Sequence, residues 1–129
     1  MFTLKVVTPT KAYGDFDLDR VTIPTSDGLI TVLSNHMDII TPVNIGILTI
    51  IGSDFREEYA VSDGLFTFKD NEASLLVNTI ENSKDIDFIR AEQAKMRASE
   101  QLKRDLSIEE IKTAELDLKR ALVRLSLNK

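Results

Sequence analysis

The 129-residue sequence contains no cysteine and no tryptophan. Without cysteine, the chain forms no disulfide, offers no thiolate to a metal ion and has no cysteine nucleophile. With two tyrosines and no tryptophan, it also lacks the aromatic platforms that a carbohydrate-binding sandwich needs, so that class is disfavoured. His36 is the one histidine, and we expect it to serve a structural or subunit-contact role rather than a catalytic one.

Long hydrophobic runs are also absent. The longest, VNIGILTIIG, includes two glycines and an asparagine and is half of the roughly 20 apolar residues that a membrane span needs. The beginning of the sequence, MFTLKVVTPT, shows no basic segment followed by an apolar one, so no secretory signal is predicted. We therefore expect no direct insertion into a membrane.

Charge of one sign dominates only part of the chain. The net charge is −5 overall, and residues 1–84 hold 6 Lys and Arg against 12 Asp and Glu. Residues 85–129 hold 10 basic residues, but 9 acidic residues are interleaved with them. Such a chain has no basic surface for general binding of nucleic acid, which is excluded as a partner.

Residues 1–84 alternate between apolar and polar positions and are rich in Val, Ile, Thr and Phe. Turn residues interrupt this pattern regularly, and we place breaks at Pro24, Pro42 and Asp70-Asn71 among others. Asp70-Asn71 is the best candidate for a hairpin turn, because both residue types tolerate a left-handed backbone. About ten short strands with this spacing predict a β-sandwich.

Residues 85–129 contain neither proline nor glycine and are dominated by strong helix formers. Ser107 followed by Glu110 has the spacing of a capping box, so a second helix should begin near Ile108. We predict one helix over roughly 86–104 and another over roughly 108–126. Because few residues connect them, they should form an antiparallel two-helix hairpin.

The apolar residues of these helices predict weak packing. The first helix presents mostly alanines, and the second presents large apolar residues on two faces, with Ile108, Ile111 and Leu122 on one of them. A helix that is apolar on two sides needs two partners. Since alanine buries little area, we predict a marginally stable hairpin that can leave its docking surface; a permanently docked hairpin is the alternative.

Several segments resemble the epsilon subunit of bacterial F-type ATP synthase. They are VTIPTSDGLITVLSNHMDIITPVNIGILTI, YAVSDGLFTFKDNEASLLVNTIENSKDID and LKRALVRLS, and the resemblance extends over essentially the whole chain. It implies a non-catalytic rotor subunit whose sandwich, residues 1–84, binds the gamma subunit and the c-ring. The hairpin, residues 85–129, would regulate the enzyme by extending toward the alpha/beta head and inhibiting ATP hydrolysis. The complex would lie on the cytoplasmic face of the cell membrane, with this chain attached peripherally.

The loop that touches the rotor ring in this family usually reads Pro-Gly-His, whereas this chain has Ser34, Asn35 and His36. Leu29 also replaces an acidic residue of the family pattern. The resemblance therefore implies a ring contact at residues 34–36 whose detail differs.

The start of the first helix carries an Ile-Asp-x-x-Arg-Ala motif that resembles the ATP site of several bacterial epsilon subunits. The residues that match the motif and its outlying positions are Glu81, Ile86, Asp87, Arg90, Ala91, Arg97, Arg120 and Arg124. Arginine presents a planar fork to phosphate oxygens, and no glycine-rich P-loop is present, so ATP would be a regulatory ligand that is not hydrolysed. The sequence leaves a role for magnesium open.

Two alternatives remain at this point. The arginines could form an ordinary solvated face with acidic neighbours, since Asp87 and Arg90 have the spacing of a helical ion pair. The chain could also be a stand-alone nucleotide-binding sensor without a rotor role. No nucleophile or acid–base pair is recognisable in either case, so an enzyme is not predicted.

Overall fold

The computed structural model describes residues 1–128, which form ten strands and two helices. The strands are β1 (Phe2–Val7), β2 (Ala12–Leu18), β3 (Arg20–Thr25), β4 (Gly28–Leu33), β5 (Ile39–Val43), β6 (Gly46–Ile51), β7 (Arg56–Val61), β8 (Gly64–Lys69), β9 (Glu72–Val77) and β10 (Ile80–Asn82). The helices are α1 (Phe88–Gln101) and α2 (Ile108–Ser126). The predicted fold class, a β-sandwich of about ten strands followed by a helical hairpin, is confirmed.

The chain divides into two compact units, the first spanning Met1–Asn82 and the second beginning at Ser83. In the first unit one five-stranded sheet has the order β2-β1-β9-β8-β5, and the other has the order β10-β7-β6-β3-β4. All pairings are antiparallel except that of β1 with β9, where Thr3 lies beside Glu72 and Val7 beside Leu76. The first strand of the chain is therefore held in the middle of its sheet by a strand from the end of the unit.

Alternation along the strands builds the core of the sandwich. In β1, Phe2, Leu4 and Val6 are buried while Lys5 and Val7 are exposed, as expected for a strand with one face inward. Phe2 meets Phe68 of β8 edge to face, with ring centroids 5.4 Å apart. The largest fully buried side chains are Phe66, Phe68, Leu4, Leu18, Ile23, Leu48, Ile50 and Leu75.

The turn between β8 and β9 is confirmed, because Asp70 and Asn71 connect the two strands with φ angles of 51° and 60°. The breaks placed at Pro24 and Pro42 were wrong, since both prolines lie inside strands. Each sits where its missing N–H costs no ladder bond. The pairing of β3 with β6 covers only Arg20 to Thr22, and β5 is an edge strand.

The second unit opens with a single 3-10 turn, Ser83–Asp85, followed by the hairpin of α1 and α2. The first helix is shorter than predicted because Asp87 is its N-cap and residues after Gln101 turn tightly. There the amide of Lys103 donates to the Glu100 carbonyl oxygen at 3.1 Å, a three-residue spacing that ends the α-helix. The second helix matches its predicted range, and both bonds of its Ser107–Glu110 capping box are present.

Small residues, rather than large ones, are buried on both helices. The four most buried are Ala91 and Ala98 on α1 and Ala114 and Ala121 on α2, none more than 3% exposed. Each pair is spaced by seven residues and so shares one helix face. The predicted apolar face of α2 was wrong at Ile108 and Leu122, which are 74% and 45% exposed.

Candidate functional site

The start of α1 holds four of the residues of the predicted ATP motif, and three of them have structural tasks. The Asp87 carboxylate accepts a hydrogen bond from the Arg90 backbone amide at 3.1 Å, which caps the helix. Ile86 and Ala91 are buried, at 7% and 3% exposure. The Arg90 guanidinium extends from an exposed position, so Asp87 and Arg90 are linked through the backbone rather than by an ion pair.

Three of the predicted arginines meet in one groove between the helices, which we call the arginine groove. Its volume is about 300 Å³. The residues that line it are Ala94, Arg97, Ala98 and Gln101 from α1 and Asp117, Arg120 and Arg124 from α2. Short alanine side chains form part of the lining, which leaves room for a ligand beside the guanidinium groups. Arg90 and Glu81 are not among these residues, and Glu81 lies on β10, opposite Ala60 of β7.

The electrostatics of the arginine groove oppose those of the whole chain. Three guanidinium groups and one carboxylate line it, whereas the chain carries a net charge of −5. Arg120 Nη1 lies 3.4 Å from Asp117 Oδ1, with the two side chains 38% and 51% exposed. An ion pair with this much exposure to water contributes little stability. Arg120 can therefore exchange its carboxylate partner for a phosphate at little cost in free energy. The groove is suited to an anion with several charged oxygens.

The second predicted site, Ser34 to His36, lies in the connection between β4 and β5. Asn35 has a φ of 63°, and its backbone amide donates to Asn71 Oδ1 at 2.7 Å. The Asn71 Nδ2 group donates back to Asn35 Oδ1 at 3.0 Å. The His36 amide donates to the Leu33 carbonyl oxygen at 3.2 Å, and the imidazole meets the Phe68 ring edge to face at 6.0 Å. The loop is therefore held in one conformation by side chains of the β8–β9 hairpin.

Large apolar side chains around this loop are exposed, which sequence reasoning missed. Leu33 is 54%, Met37 is 77% and Ile40 is 74% exposed, and Leu29 of β4 is 70% exposed. A signal was present, because β4 and β5 continue to alternate with apolar residues at positions that face away from the core. Exposed apolar side chains of this size are candidates for contact with a partner.

The described residues form neither a metal site nor a membrane-spanning helix. Across residues 1–128, no group of three or more His, Cys, Asp or Glu side chains is arranged to hold a metal ion. Neither of the described helices, α1 and α2, combines the length and the apolarity that are needed to cross a membrane. Ser62 is buried and its hydroxyl oxygen accepts a hydrogen bond from the Thr79 amide at 2.8 Å, so it serves to tie β7 to the segment before β10.

Comparison with known proteins matches each unit of the chain separately. Residues 1–83 match the family model for the ATP synthase, Delta/Epsilon chain, beta-sandwich domain. Residues 84–127 match the model for the ATP synthase, Delta/Epsilon chain, long alpha-helix domain. The two matched regions adjoin each other and together span residues 1–127 of the 129.

Two solved structures share the fold. A chain of the Euglena gracilis mitochondrial ATP synthase, in a structure of OSCP/F1/c-ring in rotational state 1, superposes with a TM-score of 0.88 at 16% identity and covers 98% of this chain and 80% of its own length. A chain of the Tetrahymena thermophila mitochondrial ATP synthase central stalk and c-ring gives a TM-score of 0.73 at 17% identity, covering 98% and 96%. Since family models match both its sandwich and its helices, the chain belongs to the delta/epsilon chain family of ATP synthase, a family of non-catalytic subunits.

Proposed function

We propose that this chain is an epsilon-type rotor subunit that joins the gamma subunit to the c-ring and regulates ATP hydrolysis through its hairpin. The observation that carries the proposal is the match of both units, in order, to the delta/epsilon family. The similar chains from Euglena and Tetrahymena come from assemblies described as containing the F1 head, the central stalk or the c-ring. Within such an assembly the chain would sit peripherally at the cytoplasmic face of the cell membrane.

In this proposal the sandwich makes the permanent contacts. The loop Ser34–Asn35–His36 contacts the ring, and the exposed side chains of Leu33 and Met37 beside it supply apolar area for that contact. At about 25 cal/mol per Å² of buried apolar area, side chains of this size contribute substantially to the free energy of binding when a partner covers them. The interlocked conformation of the loop supports this role, because a preorganised loop loses little entropy on binding.

The hairpin would be the mobile regulatory element. Its helices are packed through alanines, which bury little apolar area, and it forms a compact unit of its own. Units with few buried large side chains open at low free-energy cost. In the extended form the exposed apolar side chains of α2, among them Leu116 and Leu122, would find a second partner on the alpha/beta head beside gamma.

ATP would bind the hairpin in its compact, non-inhibitory form and would stabilise that form against the extended one. The arginine groove supports this, since Arg97, Arg120 and Arg124 can each donate charge-assisted hydrogen bonds to phosphate oxygens. A ligand that binds one form at a hundredfold excess over its dissociation constant stabilises that form by about 2.7 kcal/mol. That energy is sufficient to shift a marginal two-state equilibrium. Arg90 and Glu81, which do not line the groove, are assigned no contact in this proposal.

Titration calorimetry with ATP tests the nucleotide claim. We expect Arg97→Ala and Arg124→Ala each to weaken binding by roughly tenfold or more, because a charge-assisted hydrogen bond contributes about 1.5–3 kcal/mol. Arg104→Ala is the matched control, since Arg104 lies in the connection between the helices and is exposed. Equal heats for wild type, both groove variants and the control would remove ATP from the arginine groove.

A pull-down from cell membranes tests the rotor claim separately. The full-length chain should recover a gamma-type subunit and c-ring subunits. If it recovers neither but still binds ATP in the calorimeter, the chain is a stand-alone nucleotide sensor and the rotor role is refuted.

A further inference from the structure

Two loops at one end of the sandwich adopt the same unusual backbone conformation. Asn35 in the β4–β5 connection has a φ of 63°, and Asn71 in the β8–β9 turn has a φ of 60°. Asparagine is the non-glycine residue that enters this left-handed region most readily. At both positions asparagine allows this backbone conformation and also supplies a polar side chain.

The two asparagines are joined by reciprocal hydrogen bonds. Asn35 N donates to Asn71 Oδ1 at 2.7 Å, and Asn71 Nδ2 donates to Asn35 Oδ1 at 3.0 Å. A backbone amide can only donate, so the first bond fixes which atom of the Asn71 amide is the oxygen. The orientation of the Asn71 side chain therefore follows from the chemistry of the contact, and its nitrogen must point at Asn35.

Asn71 itself is anchored on its other side. Its carbonyl oxygen accepts a hydrogen bond from the Thr3 amide at 3.2 Å, which ties the turn to β1 in the middle of the sheet. His36, next to Asn35, rests against Phe68, a fully buried ring of β8. The connection from Ser34 to Met37 is thus fixed to the rigid part of the sandwich at two adjacent residues, and the exposed Met37 side chain follows directly.

We propose that Asn71 is a positioning residue, which holds the loop Ser34–His36 and the adjoining Met37 in the conformation that contacts the rotor ring. The inference rests on the proposed function, because that function makes this loop the ring contact. Asn71 acts through Asn35 and need not touch the ring. Without the pair, a left-handed Asn35 on an exposed connection would sample other conformations, and binding would have to order the loop first.

Aspartate substitutions separate the pair from its members. In Asn35→Asp the new carboxylate still accepts from Asn71 Nδ2, and in Asn71→Asp the carboxylate still accepts from the Asn35 amide. Each single variant should therefore bind an epsilon-depleted rotor complex within about twofold of wild type. The double variant places two carboxylates against each other, and we expect at least tenfold weaker binding, far from the sum of the single effects.

Asn71→Gly tests the pair without adding charge. It keeps the left-handed backbone and removes the side chain, and Asp70→Gly is the matched control because Asp70 lies in the same turn with a φ of 51°. We expect Asn71→Gly to weaken rotor binding about tenfold and to speed hydrogen exchange at the Asn35 amide by a similar factor. Asp70→Gly should change neither quantity by more than about twofold, and a purely structural role would lower the denaturation midpoint without changing rotor affinity.

The outcomes distinguish the two levels of the argument. A wild-type chain that fails to bind the depleted rotor complex overturns the proposed function, and the inference falls with it. A wild-type chain that binds, together with Asn71→Gly and the double aspartate variant binding equally well, overturns the inference alone.

Discussion

At the scale of single residues, Gly64 shows how closely two strands approach. It begins β8, where it pairs with Val43 of β5 and Val77 of β9. A Cβ atom built on Gly64 would overlap the carbonyl oxygen of Leu76, a backbone atom that cannot move without breaking the pairing of β8 with β9. Gly64 is required here by space alone, since its φ lies outside the left-handed region.

We therefore expect Gly64→Ala to lower the free energy of unfolding by at least about 2 kcal/mol, at the upper end of overpacking effects. Gly28→Ala is the control, because Gly28 has a φ of 104° but nothing within 4 Å of the added atom. The control should cost about 1–2 kcal/mol through backbone strain alone. Chemical denaturation of both variants measures the difference, and an equal or smaller loss for Gly64→Ala would contradict the steric reading.

The arginines show what a sequence can and cannot give about a site. Their helical spacing could be recognised in the sequence, and in the structure Arg97, Arg120 and Arg124 line one groove. The sequence left open that Arg120 belonged to a solvated face, whereas in the structure its side chain lines the groove beside Asp117. Reach of this kind depends on rotamers and on the distance between the helices, which a linear pattern does not contain. ATP binding by these residues stays a prediction.

At the scale of elements, α2 begins with a motif that could be recognised from spacing alone. The Glu110 amide donates to Ser107 Oγ at 3.2 Å, and the Ser107 amide donates to Glu110 Oε1 at 3.4 Å. These bonds satisfy amides that have no partner inside the helix. The local chemistry of two residues was sufficient here, which is why the predicted start of α2 agrees with the structure.

Removal of this cap should destabilise α2 selectively. We expect Ser107→Ala to cost about 0.5–2 kcal/mol and to speed hydrogen exchange in the first turn of α2. Thr113→Ala is the matched control in the same helix, since Thr113 is exposed and alanine is the better helix former, so it should be neutral or slightly stabilising. Exchange rates in the first turn that are the same in both variants would show that the capping box contributes nothing.

The α2 side of the helix seam could not be predicted in the same way. Because Ile108 and Leu122 are large and apolar, they were assigned to the predicted buried face of α2, whereas Ala114 and Ala121 are the most buried positions of that helix. A close approach of two helices selects small side chains, and alanine carries little weight in a hydrophobic pattern. Likewise β2 and β10, which are polar or short, gave no strong alternation. In these elements the burial of each residue depends on the strand or helix packed beside it, so the sequence pattern of the element alone predicts burial weakly.

At the scale of the whole molecule, the change of periodicity near residue 84 was the strongest sequence signal. It separated a strand region from a helical region, and the structure divides into units at Asn82 and Ser83. The order of strands within each sheet was beyond the sequence, because alternation specifies a face but not a neighbour. The parallel pairing of β1 with β9 is the clearest example.

The proposed regulatory role makes a prediction for the assembled enzyme. A chain truncated after residue 84, incorporated into the complete ATP synthase, should raise the rate of ATP hydrolysis several-fold because the inhibitory hairpin is gone. Rotor binding by the truncated chain, measured as the fraction recovered with membranes, should match that of the full chain and serves as the control. Unchanged hydrolysis in a complex that retains the truncated chain would refute inhibition by the hairpin.

The parallel pairing of β1 with β9 also determines when the protein can fold during its synthesis. β1 lacks one of its two neighbours until Glu72–Val77 has emerged from the ribosome, so its sheet cannot be completed early. A nascent chain that ends after β8 has β1 paired with β2 alone, so the sheet that contains Phe66 and Phe68 lacks its central strand. The helices follow the sandwich in the sequence, so the sandwich can close before they have been synthesised.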